Sequence, residues 1–234
     1  MALSERMQMV VDLLPAGYAT ADIGCDHGYV AIDLINSGKC PHMLAMDVKE
    51  GPLERAREHV FQKGLNKQIE IRISDGMKAL QPGEVEAVII AGMGGRLICK
   101  ILQNSLLLAK QMQAIVLQPQ SDLASVRNFL WDEGFSFLKE EMVFEDGKYY
   151  PAILVSYPLE KKDVKRLSLK RVEAWFGPLL LKQKNPVLYQ YLMKENRKFA
   201  EIEERILING GDNSDVIEHH QLIQDALLYY AEEE

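Results

Sequence analysis

Short apolar runs alternate with amphipathic segments along the first 158 residues of the chain. Five of the apolar runs have the length of strands: TADIG, HMLAMD, IEIRISD, AVIIAGM and QAIVLQP. The segments between them have the spacing of helices: YVAIDLINSG, GPLERAREHVFQKGL, GRLICKILQNSLLLAK and DLASVRNFLWDEG. Because strands and helices alternate at this spacing, the pattern predicts an α/β fold with five parallel strands.

The alternation of strand and helix patterns stops after the segment DLASVRNFLWDEG. Two further runs, FSFLKEEMVF and KYYPAILVSY, flank the tripeptide Glu145-Asp146-Gly147. Asp-Gly between two such runs is a hairpin signal. We therefore expect an antiparallel pair of strands to complete a seven-stranded sheet.

Beyond Pro158 the strand signals stop and helical patterns take over. Asn185-Pro186 has the residue types of a helix cap and first turn. Between residues 188 and 230 apolar side chains recur at steps of three and four, which favours two antiparallel helices packed as a short coiled coil. The sequence thus predicts two domains, a catalytic domain over residues 1–158 and a helical extension over residues 159–234.

Composition excludes several classes of protein. Of 234 residues, 47% are apolar and 26% are charged, which are ordinary globular values and exclude wholesale disorder. Three scattered cysteines provide neither a disulfide framework nor a zinc half-site, so we expect no metal. No apolar run is long enough to span a membrane, and the start lacks the apolar core of a signal peptide. We expect a cytoplasmic monomer, because a short loop favours pairing of the tail helices within one chain.

The net charge of −7 conceals a strong asymmetry. Residues 160–198 carry eleven Lys and Arg against four Asp and Glu, whereas residues 199–234 carry one Arg and ten acids. A basic stretch inside an acidic protein is a candidate docking surface for phosphates. A solvated helix face accounts for the same composition equally well, so both interpretations stay open here.

Candidate chemistry begins where the first strand turns into a helix, in the run Asp22-Ile23-Gly24-Cys25-Asp26-His27-Gly28. Glycines at this point let the backbone approach a ligand at the carboxyl edge of the sheet. The run is not the GxGxxG pattern of dinucleotide-binding proteins. An acid two residues before the first glycine is instead typical of an S-adenosylmethionine site, where the carboxylate holds the ammonium of the methionine moiety. The alternative is an ordinary tight turn.

Two more acids follow the next two strands. Asp47 ends the second strand, 19 residues after Gly28, and Asp75-Gly76 ends the third. A carboxylate at the first of these positions meets ribose hydroxyls, and one at the second accepts from the amino group of adenine. A single acid at a strand end is commonly a helix cap. Three acids at consecutive strand ends favour a nucleoside cofactor.

The fourth strand runs into a glycine-rich loop, Ala91-Gly92-Met93-Gly94-Gly95-Arg96. In folds of this kind the loop faces the methyl group and shapes the pocket of the acceptor. Three glycines in four residues expose backbone amides and carbonyls there. A flexible turn between strand and helix is the alternative interpretation.

Together, the segments DIGCDHGYVAIDL, AMDV, SDG, AGMGGRLI and LQP, with the helical tail, resemble the bacterial tRNA (adenine-22-N1)-methyltransferase family. The resemblance covers essentially the whole chain. It implies a Rossmann-like, seven-stranded class I methyltransferase sheet followed by a coiled-coil extension. It also implies a tRNA partner and methyl transfer from S-adenosyl-L-methionine to N1 of adenine 22.

The candidate site residues fall into four groups. The residues expected to bind the cofactor are Asp22, Gly24, Cys25, Asp26, Gly28, Asp47, Val48, Asp75, Gly76, Ala91 and Gly92. Those expected to border the target base are Met93, Gly94, Gly95 and Arg96. The resemblance makes Asp26, His27 and Tyr29 the catalytic candidates. The charge asymmetry assigns tRNA binding to Lys161, Lys162, Lys165, Arg166, Lys170 and Arg171.

The implied chemistry requires no general base. Neutral adenine N1 already carries a lone pair, so positioning and electrostatic support of the cationic product account for the rate. Asp26 is the candidate for that support. A methyltransferase acting on another RNA, a protein or a small molecule shares every cofactor argument, although the basic stretch speaks against the last two. A non-catalytic RNA-binding protein of the same fold is the alternative from a different class.

Overall fold

The computed structural model describes residues 3–158, 169–209 and 214–231. The chain divides into two compact units, Met1–Val164 and Lys165–Glu234. The domain boundary after residue 158 stays a prediction, because the neighbouring residues 159–168 lie outside those described.

The first unit contains the predicted seven-stranded sheet. Its strands are β1 Thr20–Ile23, β2 Met43–Asp47, β3 Ile69–Ile73, β4 Ala87–Met93, β5 Ala114–Pro119, β6 Ser136–Glu145 and β7 Lys148–Ser156. Its described helices are α1 Glu5–Leu13, α2 Tyr29–Asn36, α3 Glu50–Gln62, α4 Gly95–Asn104, α5 Leu106–Ala109 and α6 Leu123–Asp132. The prediction of an α/β, Rossmann-like sheet is confirmed.

The strands lie in the order β3-β2-β1-β4-β5-β7-β6. The first five are parallel, and β7 pairs antiparallel with both β5 and β6, as the hairpin signal predicts. The chain builds outward from β1 in one direction as far as β3 and then continues on its other side with β4. The carboxyl ends of β1 and β4 therefore flank the topological switch point, where open α/β sheets bind ligands.

Helices cover both faces of the sheet, which explains why the β4 run is continuously apolar. Ala87 and Ile89 belong to a core on the side of α1, α2 and α3. Val88 and Ile90 point into a second core on the side of α4 and α6. Parallel strands that are buried on both faces lose the alternation of apolar and polar residues.

The prediction of one continuous helix through residues 95–110 is wrong. Ser105 leaves the helical region of the backbone, with φ −130° and ψ 33°, and separates α4 from α5. Its N–H donates to the carbonyl of Leu102, a tighter connection than the helical i to i−4 bond. The break lets Ala109 reach the second core, while Leu107 is left exposed.

The second unit is helical in its described part. It contains α7 Arg171–Phe176, α8 Pro178–Lys182, α9 Pro186–Asn209, α10 Ser214–Leu227 and a 3₁₀ turn Leu228–Tyr230. Asn185 caps α9, as predicted, because its Oδ1 accepts from the N–H groups of Val187 and Leu188 at 3.0 Å. None of the helices in the described ranges combines the length and apolar character needed to cross a bilayer.

Helices α9 and α10 pack against each other around a buried histidine. His220 of α10 lies 2.9 Å from Asn196 Oδ1 and 3.0 Å from Glu203 Oε1, both on α9. A polar group inside a helix seam needs such partners, and it fixes how the two helices align. The coiled-coil geometry itself stays a prediction.

A buried ion pair joins α6 to β6. The guanidinium Nε of Arg127 lies 2.8 Å from Glu140 Oε1, and the two side chains are 1% and 0% exposed. Such a pair is costly to break, because removing one partner leaves a buried charge without its counter-charge.

We predict that Glu140→Gln lowers the free energy of unfolding by about 3–5 kcal/mol. Denaturant titration measures this change. Glu141→Gln is the matched control, because it removes an exposed pair with Lys139 and should cost under about 1 kcal/mol. Equal effects of the two substitutions would contradict the importance of the buried pair.

Candidate active site

The loop after β1 is held against the neighbouring strand. The N–H groups of Gly24 and Cys25 both donate to the carbonyl of Met46, at 2.7 and 3.0 Å. Gly24 has φ 77°, and a Cβ there would lie 2.2 Å from Cε of Met93. Asp26 also occupies the left-handed region, at φ 49°, which Asp tolerates better than most residues. The left-handed backbone at position 24 favours glycine, which also leaves room for the end of the Met93 side chain.

Three of the predicted acids lie close enough to influence one another. Asp22 lies near the end of β1 with only 4% of its surface exposed. Burial, together with the charges of Asp47 and Asp26, raises the pKa of Asp22 to about 7. Among the described residues, no cationic side chain forms an ion pair with Asp22. The edge of the sheet thus carries an excess of negative charge that a bound cation would relieve.

Asp75 differs from the other strand-end acids. It is exposed, and its carboxylate accepts from Lys78 Nζ at 2.5 Å. This hydrogen bond and the charge of Lys78 lower the pKa of Asp75, and Lys100 adds to the effect. Beside it, Gly76 has φ 63° and faces Ile101, while Val48 after β2 is 58% exposed.

A cavity of about 330 Å³ opens at this edge of the first unit. Several predicted residues line it: Asp22, Gly24, Cys25, Asp26, His27, Tyr29 and Ala91. Burial raises the pKa of the Cys25 thiol, and the charge of Asp22 adds to that effect. The thiol therefore stays protonated and serves as a small apolar wall.

Helix α1 covers the cavity, a contribution that the sequence pattern did not indicate. Leu3, Ser4, Arg6 and Met7 all line the cavity from this side. The Arg6 guanidinium lies 5.3 Å above the ring of Tyr150 and 3.6 Å from Glu145 Oε2. The backbone N–H of Glu5 also donates to Glu145. These contacts with the β6–β7 hairpin fix the start of α1 over the site.

A hydrogen-bond network sets the proton positions on His27. Arg55 Nε donates to His27 Nδ1 at 3.0 Å, so Nδ1 carries a lone pair and the imidazole proton sits on Nε2. The Nε2 atom lies 3.5 Å from Asp26 Oδ1. The carbonyl of His27 accepts from His59 Nδ1 at 3.0 Å.

Sequence reasoning missed Arg55 and His59. The signal that could have found them is their spacing of four residues on α3, which places both on one helix face. Their partner His27 is 28 residues away from Arg55 along the chain, so no local pattern predicts the contact.

The glycine-rich loop after β4 is packed tightly. A Cβ on Gly95 would lie 2.4 Å from the carbonyl oxygen of Ser121, so the close approach of two backbones requires glycine. Arg96 Nε lies 3.1 Å from Asp122 Oδ1 on the neighbouring loop. The N–H of Gly92 donates to Oε1 of the fully buried Gln118 at 3.0 Å. The glycines of this loop thus meet packing requirements in addition to any contact with a substrate.

The basic candidates of the second unit are only partly described. Lys161, Lys162, Lys165 and Arg166 lie outside the described residues. Lys170 precedes α7, and its N–H donates to Glu173 Oε2 at 3.1 Å. Arg171 pairs with Glu218 of α10, so part of its charge is already neutralised within the unit.

No cluster of His, Cys, Asp and Glu suited to a metal ion occurs in the described portion of the chain. The site consists instead of carboxylates, backbone amides and an aromatic and histidine wall. Such a set suits an organic cation.

The strand order with its antiparallel final pair is that of Rossmann-like methyltransferases. Residues 3–153 match the family model described as a methyltransferase domain. The first unit therefore belongs to the methyltransferase class.

Individual relatives narrow the class further. The tRNA (adenine(22)-N(1))-methyltransferase of Bacillus subtilis strain 168 is 32% identical over 204 residues, spanning 87% of this chain and 85% of that protein. The crystal structure of the B. subtilis m1A22 tRNA methyltransferase TrmK superposes with a TM-score of 0.83 at 28% identity, covering 97% and 99% of the two chains. Streptococcus pneumoniae Sp1610 in complex with S-adenosyl-L-methionine superposes with a TM-score of 0.83 at 31% identity, covering 97% and 100%. The chain belongs to the tRNA (adenine(22)-N(1))-methyltransferase family, which confirms the resemblance.

We predict that the free energy of unfolding of the ligand-free Asp22→Asn variant, relative to that of the parent, is higher at pH 8 than at pH 5. The folded state holds the Asp22 proton more tightly than the unfolded state, because its pKa is raised from 3.8 to about 7. This contribution to stability is present at low pH and is lost as the pH rises through 7. The unfolding free energies of variant and parent should diverge by up to about 1.4 kcal/mol per pH unit below pH 7.

The control is Asp146→Asn in the exposed β6–β7 turn, which also has a left-handed backbone, at φ 49°. It should shift stability by the same amount at both pH values. A parallel pH dependence of Asp22→Asn and the parent would contradict the burial of an ionisable Asp22.

Proposed function

We propose that the protein transfers a methyl group from S-adenosyl-L-methionine to N1 of adenine 22 in tRNA. The observation that carries the proposal is the acid cluster of Asp22, Asp26 and Asp47, with Asp22 buried, at the switch point of a methyltransferase sheet. The names of its relatives in B. subtilis supply the substrate and the modified atom.

The residues present fit this cofactor. S-adenosylmethionine carries a sulfonium and an ammonium, and the acid cluster offers the negative charge that such cations require. Asp22 and Asp26 would hold the methionine half, with Gly24 and Gly28 giving the backbone room to approach. Cys25 and Ala91 would form apolar walls beside it, and Gly92 would border it.

The nucleoside half would lie along the ends of the next two strands. Asp47 would accept from the ribose hydroxyls, although its Oδ1 also accepts from the Lys49 N–H at 2.9 Å. Val48 offers an exposed apolar side chain for the adenine ring. Asp75 and Gly76 would contact the adenine amino group, which requires Asp75 to share its carboxylate with Lys78.

The cofactor supplies an electrophilic methyl group, and the residues of the chain position the acceptor. Met93, Gly94 and Gly95 would border the target base, with Arg96 at the rim. The base must leave its stack first, which costs a few kcal/mol. Adenine N1 needs no deprotonation, so the site requires orientation and a negative charge near the cationic product.

Asp26, His27 and Tyr29 would contact the base. Asp26 would stabilise the positive charge that develops on it. His27 is suited to donate from Nε2, because Arg55 occupies its Nδ1 and prevents it from accepting a proton there. This arrangement supports positioning and charge stabilisation over general base catalysis.

Binding of the tRNA would use the basic stretch of the second unit. We propose that Lys161, Lys162, Lys165, Arg166, Lys170 and Arg171 contact phosphates. A groove of about 590 Å³ on α9 is lined by Lys194, Arg197 and Lys198 beside Tyr189, and we propose that these cations contact phosphates as well. Because Arg171 pairs with Glu218, we expect it to contribute least.

We further propose that the protein acts in the cytoplasm as a monomer. A tRNA substrate favours that compartment. The packing of α9 on α10 within one chain supports the monomer.

Mass spectrometry of tRNA nucleosides after incubation with methyl-labelled cofactor tests the proposed function. We expect label in 1-methyladenosine at position 22. Label at another nucleotide would contradict the acceptor, and the absence of label from tRNA would contradict the function.

We predict that Asp47→Ala weakens S-adenosylmethionine binding at least about tenfold by deleting the ribose acceptor, measured by titration calorimetry. The fold should survive, because Asp47 ends its strand half-exposed. Asp146→Ala in the hairpin turn is the control and should bind normally. Unchanged affinity of Asp47→Ala would remove this residue from the cofactor site.

We predict that reversing Lys165, Arg166 and Lys170 to Glu weakens tRNA binding and lowers its salt dependence, because phosphate contacts are lost. Filter binding over a range of salt concentrations measures both. Cofactor affinity is the control and should not change. Methylation of tRNA at the parental rate would show that the basic stretch is only a solvated surface.

A further inference from the structure

A second cavity, of about 300 Å³, lies between α2 and α3 in the first unit. One face of α2 forms the first wall, with residues at helical spacing: Tyr29, Ile32, Asp33 and Asn36. The last turn of α3 and the residue that follows it form the other wall: His59, Gln62 and Lys63. Apart from Tyr29, these side chains have no part in the chemistry proposed above. We call this cavity the α2–α3 groove.

The groove combines three kinds of side chain that suit a nucleotide. The rings of Tyr29 and His59 are stacked, with centroids 4.9 Å apart and an interplanar angle of 23°. Asn36 and Gln62 each offer an amide donor and acceptor, which can read the edge of a base. Lys63 offers an ammonium to a phosphate. Unpaired RNA bases are recognised by such a combination of aromatic stacking and polar contacts.

The α2–α3 groove adjoins the candidate active site. Tyr29 lines both cavities. His59 donates from Nδ1 to the backbone carbonyl of His27, which itself lines the first cavity. A nucleotide chain that places one base in the active site would therefore bring a neighbouring nucleotide to the groove.

Charges in the groove favour one orientation of that nucleotide. Asp33 would repel a phosphate but accept from the amino group of a base, whereas Lys63 attracts a phosphate. The base would therefore lie against Tyr29 and His59, with Asp33 accepting from its amino group, and the phosphate would contact Lys63. The neutral form of His59 keeps a lone pair on Nε2, because its proton is used at Nδ1.

We propose that the α2–α3 groove binds a second, unpaired nucleotide of the RNA substrate, adjacent to the target adenine, with its base against the Tyr29–His59 stack. This proposal rests on the proposed function. The enzyme extrudes its target base, and a neighbour that loses its stacking partner gains a replacement in the groove.

Two substitutions of His59 separate stacking from its structural hydrogen bond. His59→Phe keeps an aromatic ring and loses the donor to the His27 carbonyl. His59→Asn keeps a side-chain N–H near the position of Nδ1 and loses the ring. If the groove stacks a base, we expect His59→Asn to raise the tRNA KM about tenfold and His59→Phe to raise it less than about twofold. Cofactor affinity is measured for both variants, so that a change in the His27 loop is separated from a change in tRNA binding.

A substrate lacking one base supplies the second arm of the experiment. In one tRNA the nucleotide before the target adenine is abasic, and in another the nucleotide after it is abasic. One of the two abasic tRNAs should raise the KM of the parent protein about tenfold. The same tRNA should raise the KM of His59→Asn little further, because the missing base and the missing ring belong to the same contact. Gln62→Ala should raise the KM as well, whereas the exposed control Gln111→Ala should not.

Each outcome decides between the alternatives. A KM that rises with His59→Phe and not with His59→Asn would mean that His59 only supports the loop, and would overturn the proposal. Multiplicative effects of His59→Asn and both abasic tRNAs would do the same. If the parent does not methylate tRNA at all, the proposed function fails first. If it does, and His59→Asn behaves like the parent, the groove proposal alone is wrong.

Discussion

The buried carboxylate of Asp22 is the constraint on which the rest of the site depends. Burial alone makes its ionised form unfavourable, and the nearby charges of Asp47 and Asp26 add to the cost. In the ligand-free protein, carboxylates at the carboxyl edge of the sheet therefore repel one another, and one of them is buried. Such repulsion is tolerable where a cationic ligand relieves it, and strained or destabilised groups of this kind concentrate at functional sites.

The fold explains how Asp47, which is distant in sequence, comes close to Asp22 and Asp26. Strands β2 and β4 lie on either side of β1, so the carboxyl ends of these three parallel strands meet at one edge of the sheet. Close backbone packing then shapes the loops. Gly24 admits the Met93 side chain, and Gly95 admits the Ser121 backbone. The start of helix α1, which is bonded to Glu145 of the hairpin, forms one wall of the cavity.

Much of this arrangement could be predicted from the sequence. Periodicity identified all seven strands, because buried parallel strands and a hairpin have distinct local patterns. Acids at strand ends could be located because parallel strands share one carboxyl edge. The local cap at Asn185 was also predictable, since its partners Val187 and Leu188 are sequence neighbours.

Contacts between distant residues were beyond the reach of local patterns. The bond from Arg55 to His27 crosses 28 residues, and that from Glu5 to Glu145 crosses 140. The break at Ser105 was missed because serine is tolerated within helices and core packing decided the outcome. A basic composition likewise did not reveal that Arg171 is paired with Glu218.

Proton release on cofactor binding tests most directly whether the acid cluster receives the cation. At pH 6 the free protein should hold a proton on Asp22, and binding of the S-adenosylmethionine ammonium should expel it. Calorimetric titration in two buffers of different ionisation enthalpy counts that proton. We expect release of about one proton per cofactor at pH 6, and less at pH 8. Identical binding enthalpies in the two buffers at pH 6 would contradict the account.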